Sequence, residues 1–221
     1  MDRIQFGLLG AGGFAREVMP FVKQSVARSL SVTEDFIDVY FVETWQPQQT
    51  QVNGYPAVSL QTFGNLPGKK YFNVAVGNGE AREAMVAAVG TKANVLALQS
   101  GQTIFLDNNS ISEGSVFCAN TMVTSNVKIG KFFQCNIYSY VAHDCVIGDY
   151  VTFAPGVRCN GRVHIEDHVY IGTNAIIREG TADQPMHIGK GAVIGMGSVV
   201  TKNVLAGTTV TGNPARLFEK R

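Results

Sequence analysis

The chain is short of charge and of long apolar runs, and each shortage excludes a class of protein. Only 16% of its 221 residues are charged, and 18 basic residues nearly balance 17 acidic ones. Because no basic run stands out, we do not expect nucleic acid to be a partner. No apolar stretch approaches the ~20 residues that a membrane-spanning helix needs, so we expect no membrane span.

Cysteine is also scarce, and its spacing argues against a metal protein. Cys118, Cys135, Cys145 and Cys159 form no CxxC pair, so we predict no metal site and interpret them as small buried residues. Met1 leads directly into a strand-like segment without a signal-peptide pattern. This start favours a cytoplasmic protein, in which disulfides are not expected.

What the chain does have is an apolar residue at every sixth position of its second half. All 17 leading positions from Phe105 to Ala206 are apolar, with one slip of register before Ile188. The fourth residue of most hexads is small or β-branched, with Asn109 and Phe133 as exceptions. A period of six fits neither a helix nor a long strand. It predicts short strands joined by turns, with three units closing a triangular coil of about 18 residues that stacks on the next.

The first hundred residues carry a different pattern, in which strands alternate with helices. Such alternation predicts a parallel sheet flanked by helices. The predicted strands are Ile4–Leu9, Phe36–Val42, Tyr71–Val76 and Asn94–Ala97, and the predicted helices follow Gly13 and Gly79.

A glycine-rich turn follows the first of these strands. Gly10-x-Gly12-x-x-Ala15 fits the dinucleotide fingerprint, in which glycines let the backbone approach a phosphate at a helix N-terminus. The same residues also suit a simple tight turn, so both interpretations are open. A nicotinamide oxidoreductase needs a larger domain than the space before the repeats allows. That space favours one mononucleotide, such as a nucleotide-linked sugar.

The two halves together resemble the PglD-like sugar-nucleotide N-acetyltransferases, a group close to the sialic acid O-acetyltransferase-like proteins. The resemblance implies a Rossmann-like α/β domain over residues 1–100 and a left-handed parallel β-helix over residues 101–221. It also implies homotrimers with active sites between subunits. The motifs that carry it are Gly10-Ala-Gly-Gly-Phe14, Val74-Ala-Val-Gly-Asn78 with Arg82, His143-Asp-Cys-Val-Ile-Gly148, Cys159-Asn-Gly161 and Gly212-Asn-Pro-Ala-Arg216.

The resemblance further implies a reaction and its residues. Acetyl-CoA would donate an acetyl group to a 4-amino-dideoxy sugar linked to UDP, dTDP or GDP, destined for a surface polysaccharide or glycan, without a metal. His143 is the implied general base, and Asp144 orients it. The implied substrate contacts are Gly12, Gly13, Phe14, Glu43, Thr44, Asn78 and Asn136. The implied acyl-CoA contacts are Thr152, Gly161, Thr173, Met196 and Lys202, with Arg216 as a possible phosphate contact.

Two departures from the family pattern affect this assignment. Glu43-Thr44 stands where the family commonly has two acidic residues, and Thr152 stands where it often has a histidine. The nucleotide base and one CoA contact are therefore open.

The residues themselves add a geometric condition for the base. A histidine with an ordinary pKa of ~6.5 can accept a proton from an amine. Neighbouring residues on a strand point apart, so contact between His143 and Asp144 requires a bend. His164, His168 and His187 are expected on the surface.

Three alternatives remain at this level. The same fold can transfer an acetyl group to a hydroxyl, it can serve as a non-catalytic binding protein, or its first domain can bind a nicotinamide. The ten residues 178–187, where a regular hexad leaves five, also allow two interpretations. They form either a tolerated surface loop or a loop that borders the acyl-CoA cleft.

Overall fold

The computed structural model describes residues 3–219 and divides into two compact units. The first unit runs as far as Val76 and includes Glu80–Ser100, and the second comprises Gly77–Gly79 and the chain from Gly101 onward. In the part of the chain that is described, no helix is both long enough and apolar enough to cross a membrane.

The first unit is built around a six-stranded sheet in the order β3-β4-β2-β1-β5-β6. Its pairs are parallel except β3 with β4, which is antiparallel. The elements are β1 (Ile4–Leu9), α1 (Gly13–Leu30), β2 (Ile37–Glu43), β3 (Gln51–Val52), β4 (Tyr55–Ser59), α2 (Leu60–Gly64), β5 (Lys69–Val74), α3 (Gly79–Val89), β6 (Asn94–Val95) and β7 (Leu98–Gln99), with a 3₁₀ turn at Glu34–Phe36.

The alternation of strands and helices predicted most of this unit but missed one hairpin. β3 and β4 are joined through Asn53 and Gly54, whose φ angles are 49° and 80°. Two residues with positive φ make the turn that fits the twist of a two-residue hairpin, and Asn-Gly is its usual sequence. The second predicted strand also begins one residue late, because Phe36 belongs to the 3₁₀ turn.

The core of the first unit follows from the positions of its apolar residues. Every residue of β1 is buried, as expected for a central parallel strand. Along α1 the buried side chains recur at helical spacing and face the sheet. These side chains are Ala15, Val18, Met19, Val22, Ser25 and Val26.

The second unit is a parallel β-helix with three faces. Each short strand pairs with the strand 18 residues further on, as Val116 does with Gln134. Its strands are β8 (Ile104–Phe105), β9 (Ser110–Ile111), β10 (Val116–Phe117), β11 (Met122–Val123), β12 (Lys128–Ile129), β13 (Gln134–Cys135), β14 (Tyr140–Val141), β15 (Val146–Ile147), β16 (Thr152–Phe153), β17 (Arg158–Cys159), β18 (Val163–Ile165), β19 (Tyr170–Ile171), β20 (Ile176–Ile177), β21 (Met186–Ile188), β22 (Val193–Ile194), β23 (Val199–Val200), β24 (Thr209–Thr211) and β25 (Arg216–Leu217).

We name the faces by their strands. Face A contains β10, β13, β16, β19, β22 and β24, face B contains β8, β11, β14, β17, β20 and β23, and face C contains β9, β12, β15, β18 and β21.

The leading residues of the hexads form the interior, as the sequence predicted. From Phe117 to Val200 every leading residue is at most 3% exposed. Four phenylalanines stack edge-to-face along this interior, with ring centroids 5.0 to 5.8 Å apart, and Phe133 is one of them. Phe133, which broke the pattern of small fourth residues, therefore fills space beside the small leading residue Cys135.

The four cysteines are buried and unpaired, as expected. Cys118 is buried although it does not occupy a predicted inward position. Asn109, the other exception to the pattern, uses its side chain on the backbone. Its amide donates to the Thr124 carbonyl at 2.6 Å, and its carbonyl accepts from the Val127 N–H at 3.0 Å.

The corners of the helix all use the same backbone conformation. The residue three places after each leading residue has a positive φ, between 51° and 73°. Only glycine and, at lower cost, asparagine and aspartate adopt this conformation readily. The corner residues include Asn108, Gly114, Asn120, Asn126, Asp144, Gly156, Asn174 and Gly191.

One predicted leading residue is wrong. Ala206 is exposed, and the inward position belongs to Val204, which pairs with Ile188. The Asn203 side-chain oxygen accepts the His187 N–H at 3.0 Å and so fixes the chain two residues early. Val204 also offers more apolar surface than alanine for closing the end of the stack.

The interior column makes a direct prediction for stability. Phe133→Ala should lower the free energy of unfolding by about 3–5 kcal/mol, because it removes a fully buried ring and leaves a cavity. Phe36→Ala is the matched control, since that ring is 39% exposed and its loss should cost much less. Urea unfolding of both variants measures the difference. Equal losses would contradict this account of the core.

Candidate active site

The two catalytic residues expected from the sequence meet at a corner between faces B and C. His143 follows β14, and Asp144 occupies the corner with a φ of 59°. This turn is the bend that contact between neighbours requires. The His143 Nδ1 lies 2.8 Å from the Asp144 Oδ2.

The surroundings of Asp144 keep it charged. The hydrogen bond from His143 lowers the pKa of the Asp144 carboxyl, and smaller contributions come from the Asn126 amide and from Arg162. The Asn126 side-chain amide donates to Oδ1 at 3.2 Å, and the Arg162 guanidinium lies 3.7 Å from Oδ2. A charged carboxylate can only accept, so Nδ1 of a neutral His143 carries the proton and Nε2 has a free lone pair.

Gly161 lies against the histidine ring. A Cβ on Gly161 would be 2.5 Å from the His143 Cε1 and 2.6 Å from Nε2. Only glycine leaves room for the ring in this position. The resemblance predicted an acyl-CoA contact here, and the structure places Gly161 beside the base, 18 residues further along the helix.

The inserted segment 178–187 begins at the same corner. Gly180 donates its N–H to the Gly161 carbonyl at 3.0 Å, and Met186 donates to the Arg162 carbonyl at 3.0 Å. A tight turn between Thr181 and Gln184 closes the excursion. Both ends of the segment are therefore tied to the coil that carries Gly161. The interpretation as a loop remote from the chemistry is excluded.

Glu179, at the start of this segment, is a site residue that sequence reasoning missed. Its Oε1 lies 3.7 Å from the His143 Nε2 and 2.8 Å from the Arg162 guanidinium. The signal was present in the spacing, because His143, Gly161 and Glu179 are each 18 residues apart. The insertion masked this spacing by drawing attention to the broken repeat.

Several predicted ligand contacts lie on face A, away from the His143 corner. Asn136 follows β13, Thr173 follows β19, and Met196 follows β22 with 79% of its surface exposed. Thr152 is buried, and its hydroxyl donates to the Gly77 carbonyl at 2.8 Å. Within one chain the structure does not bring these residues to the base.

Lys202 and Arg216 share a cavity at the C-terminal end of the β-helix. Its volume is about 280 Å³, and its other lining residues are mostly apolar. Apolar walls between two cations suit a ligand with both apolar and anionic parts.

The predicted phosphate turn of the first unit has the geometry its glycines imply. Gly10 has a φ of 97°, and Gly12 is the N-cap of α1. A Cβ on Gly12 or Gly13 would meet nothing within 4 Å, so the space before the helix N-terminus is open. Phe14 is half-buried just inside α1, and Asn78, in the second unit, is exposed.

The end of β2 opens onto a cleft. Glu43 is half-buried at the last position of the strand, and Trp45 is 82% exposed two residues later. The cleft has a volume of about 520 Å³ and is lined by Thr44, Trp45, Gln46, Ser59, Leu60, Gln61, Gly64, Asn65 and Lys92. Sequence reasoning missed Trp45, although it is the only tryptophan in the chain.

The remaining histidines have structural surroundings. His187 is exposed, as expected, and its ring meets that of the half-buried His164 edge-to-face at 5.0 Å. Burial, followed by the neighbouring His187, lowers the pKa of His164. His168 was expected on the surface but is half-buried and stacks on Tyr150 with centroids 5.4 Å apart. Among residues 3–219, no group of three or more His, Cys, Asp or Glu is placed to hold a metal ion.

Comparison with known proteins places this architecture in a family. A family model described as the hexapeptide repeat of succinyl-transferase matches residues 162–202. Over 217 residues the chain is 42% identical to GDP-perosamine N-acetyltransferase of Escherichia coli O157:H7, covering 97% of this chain and 96% of that protein. The chain belongs to the PglD-like sugar-nucleotide N-acetyltransferases.

Solved structures of similar proteins agree with this membership. WeeI from Acinetobacter baumannii AYE matches with a TM-score of 0.89 and 50% identity, covering 97% of this chain and 100% of that one. The acetyltransferase domain of PglB from Neisseria gonorrhoeae FA1090, solved with acetyl coenzyme A, has a TM-score of 0.83 and 26% identity, covering 99% and 100%. The β-helix of this N-acetyltransferase is therefore the left-handed one of the hexapeptide acyltransferases.

The packing of Gly161 against His143 predicts a selective loss of activity. Gly161→Ala should lower kcat about 100-fold, since the added methyl group displaces the ring that carries the base. The half-exposed ring can swing into solvent, so the melting temperature should change little. Steady-state kinetics and thermal melts measure the two effects. A variant with wild-type kcat would show that the ring position does not matter.

Proposed function

We propose that this protein transfers acetyl from acetyl-CoA to the amine of a nucleotide-linked 4-amino-dideoxy sugar, with His143 as the general base. The observation that carries the proposal is the 2.8 Å contact between His143 Nδ1 and Asp144, which leaves Nε2 as the acceptor. The near full-length similarity to an N-acetyltransferase of GDP-perosamine supports the substrate class.

The chemistry proceeds as an acyl transfer. The amine nitrogen attacks the thioester carbonyl carbon while His143 Nε2 takes a proton from the amine, and the imidazolium is stabilised by Asp144. The tetrahedral intermediate collapses, the C–S bond breaks, and the thiolate of CoA takes the proton from His143. General-base help of this kind contributes roughly 10²–10⁴ in rate, and orientation supplies more. We assign the oxyanion to backbone N–H groups at the coil edge.

We infer that the first unit binds the nucleotide as a Rossmann-like domain does. The open N-terminus of α1 at Gly12 and Gly13 suits the diphosphate. The exposed indole of Trp45 offers a stacking surface for the base. The Glu43 carboxylate suits a base edge with two adjacent N–H donors, which guanine has and uracil lacks. GDP is therefore the first nucleotide to test.

We further infer that the working enzyme is a homotrimer. The predicted CoA contacts Thr173 and Met196 lie on face A, whereas the base lies at the far side of face B, so one chain alone does not assemble the site. Face B also presents a row of outward apolar side chains that a partner can cover. This row consists of Ile104, Met122, Tyr140, Ile176 and Val199.

The location and pathway follow from the proposed substrates. Acetyl-CoA and nucleotide-linked sugars are metabolites of the cytoplasm, and four reduced cysteines suit that compartment. An acetylated amino sugar on a nucleotide is an activated unit for a surface polysaccharide or glycan.

The reaction is tested by the release of CoA thiol. The protein is mixed with acetyl-CoA and with GDP-, UDP- and dTDP-linked 4-amino sugars in turn. Turnover is expected with the GDP-linked sugar, and His143→Ala should lower it by at least about 100-fold. His187→Ala is the matched control and should keep wild-type activity, since that side chain is exposed on face C.

The other outcomes separate the alternatives. Turnover only with a UDP- or dTDP-linked sugar keeps the reaction and changes the base. Turnover that survives in His143→Ala removes this residue from the role of base. Turnover only with a hydroxy sugar identifies an O-acetyltransferase, and binding without any turnover identifies a non-catalytic protein.

The trimer is tested by light scattering on variants of face B. The wild type should have three times the chain mass of 23.8 kDa. Ile104→Asp combined with Ile176→Asp should shift the mass toward that of one chain and lower activity in parallel. Val146→Asp, at a residue 40% exposed on face C, should leave both unchanged. A wild-type monomer at micromolar concentration would contradict the inference.

A further inference from the structure

Glu179 lies where the substrate amine has to arrive. The His143 Nε2 and the Glu179 Oε1 face each other across 3.7 Å. With Nδ1–H bound to Asp144, both of these atoms are acceptors. A gap between two acceptors is filled best by a donor with more than one N–H, placed at normal hydrogen-bond distance from each.

The charges around this gap favour a cation. Asp144 and Glu179 are each negative and Arg162 is positive, so the group carries a net charge of −1 while His143 is neutral. Arg162 lies between the two carboxylates, 2.8 Å from Glu179 and 3.7 Å from Asp144. A protonated sugar amine complements this charge, whereas a hydroxyl is neutral and has a single hydrogen.

The backbone holds Glu179 in this place. Its neighbour Gly180 is buried, and a Cβ there would lie 2.4 Å from the Arg162 carbonyl and 2.5 Å from the Met186 nitrogen. The N–H of Gly180 is bound to the Gly161 carbonyl. The residue before a glycine packed so closely has little freedom to move away from the base.

We propose that Glu179 is a specificity-determining residue that binds the substrate amine beside His143 and selects an amine over a hydroxyl. The proposal rests on the proposed function of this site. One N–H of the bound ammonium group is held by the Glu179 Oε1, and another is directed at the His143 Nε2, which removes that proton before or during attack. The resulting imidazolium lies between Asp144 and Glu179, both negative.

The expected size of the effect is moderate because the site is open to water. The four side chains are between 35% and 50% exposed, so solvent screens their charges. The contribution of Glu179 to amine binding should be about tenfold and should weaken as salt is added.

The test compares binding of an amine with binding of its hydroxy counterpart. Calorimetry in the presence of CoA gives the Kd of the nucleotide-linked 4-amino sugar and of the same sugar with a 4-hydroxyl. The variants are Glu179→Gln, Glu179→Asp and, as control, Glu113→Gln. Glu113 pairs with Lys131 at 3.1 Å, so this control removes the same charge from another ion pair. The kinetic constants for the amine are measured alongside.

Glu179→Gln should weaken binding of the amine about tenfold, leave binding of the hydroxy sugar nearly unchanged, and flatten the dependence of amine Kd on salt. The kinetic loss should appear mainly in KM. Glu179→Asp should recover part of the affinity, and Glu113→Gln should match the wild type.

Two results would overturn the proposal. Equal weakening of both ligands would mean that Glu179 only supports the local fold, and unchanged binding of both would mean that it is a surface ion pair with Arg162. If the wild type acetylates amines and either result is found, Glu179 alone loses its role. If the wild type neither binds nor acetylates any amino sugar, the proposed function fails and this proposal fails with it.

Discussion

The left-handed corner that recurs every six residues is the constraint on which the rest of the structure depends. Because each corner residue has a φ between 51° and 73°, three short strands close one coil and the next coil repeats it in register. Positions 18 residues apart then lie above one another. One such column contains His143, Gly161 and Glu179, and the corner at Asp144 turns its carboxylate onto the base. The same geometry thus forms both the core and the reacting group.

The repeat allowed the interior and the base to be predicted from sequence alone, since apolar leading residues and a His-Asp pair are local patterns. It did not reveal Glu179, because an insertion interrupted the count and a contact between coils depends on spacing across that interruption. Ala206 was wrong for a related reason. A side-chain hydrogen bond from Asn203 advanced the chain by two residues, and no apolar pattern records such a bond.

The first unit shows a different limit of sequence reasoning. Alternating strands and helices and the turn at Gly12 were visible, whereas the hairpin at Asn53-Gly54 and the exposed Trp45 were passed over. The predicted acyl-CoA contacts raise a further limit. Thr173 and Met196 lie on another face from His143, and a single chain carries no information on which copy of a face completes a site. The family's full-length relatives support the reaction class, and the partner faces remain the subject of our trimer proposal.

A crystal structure with CoA and a nucleotide-linked 4-amino sugar tests the central claim most directly, because CoA without an acetyl group leaves the amine unreacted. The account predicts the amine nitrogen within about 2.6–3.2 Å of the His143 Nε2, with the contact between Nδ1 and Asp144 retained. An amine bound elsewhere, with the His143 ring turned away from it, would contradict the assignment of His143 as the base.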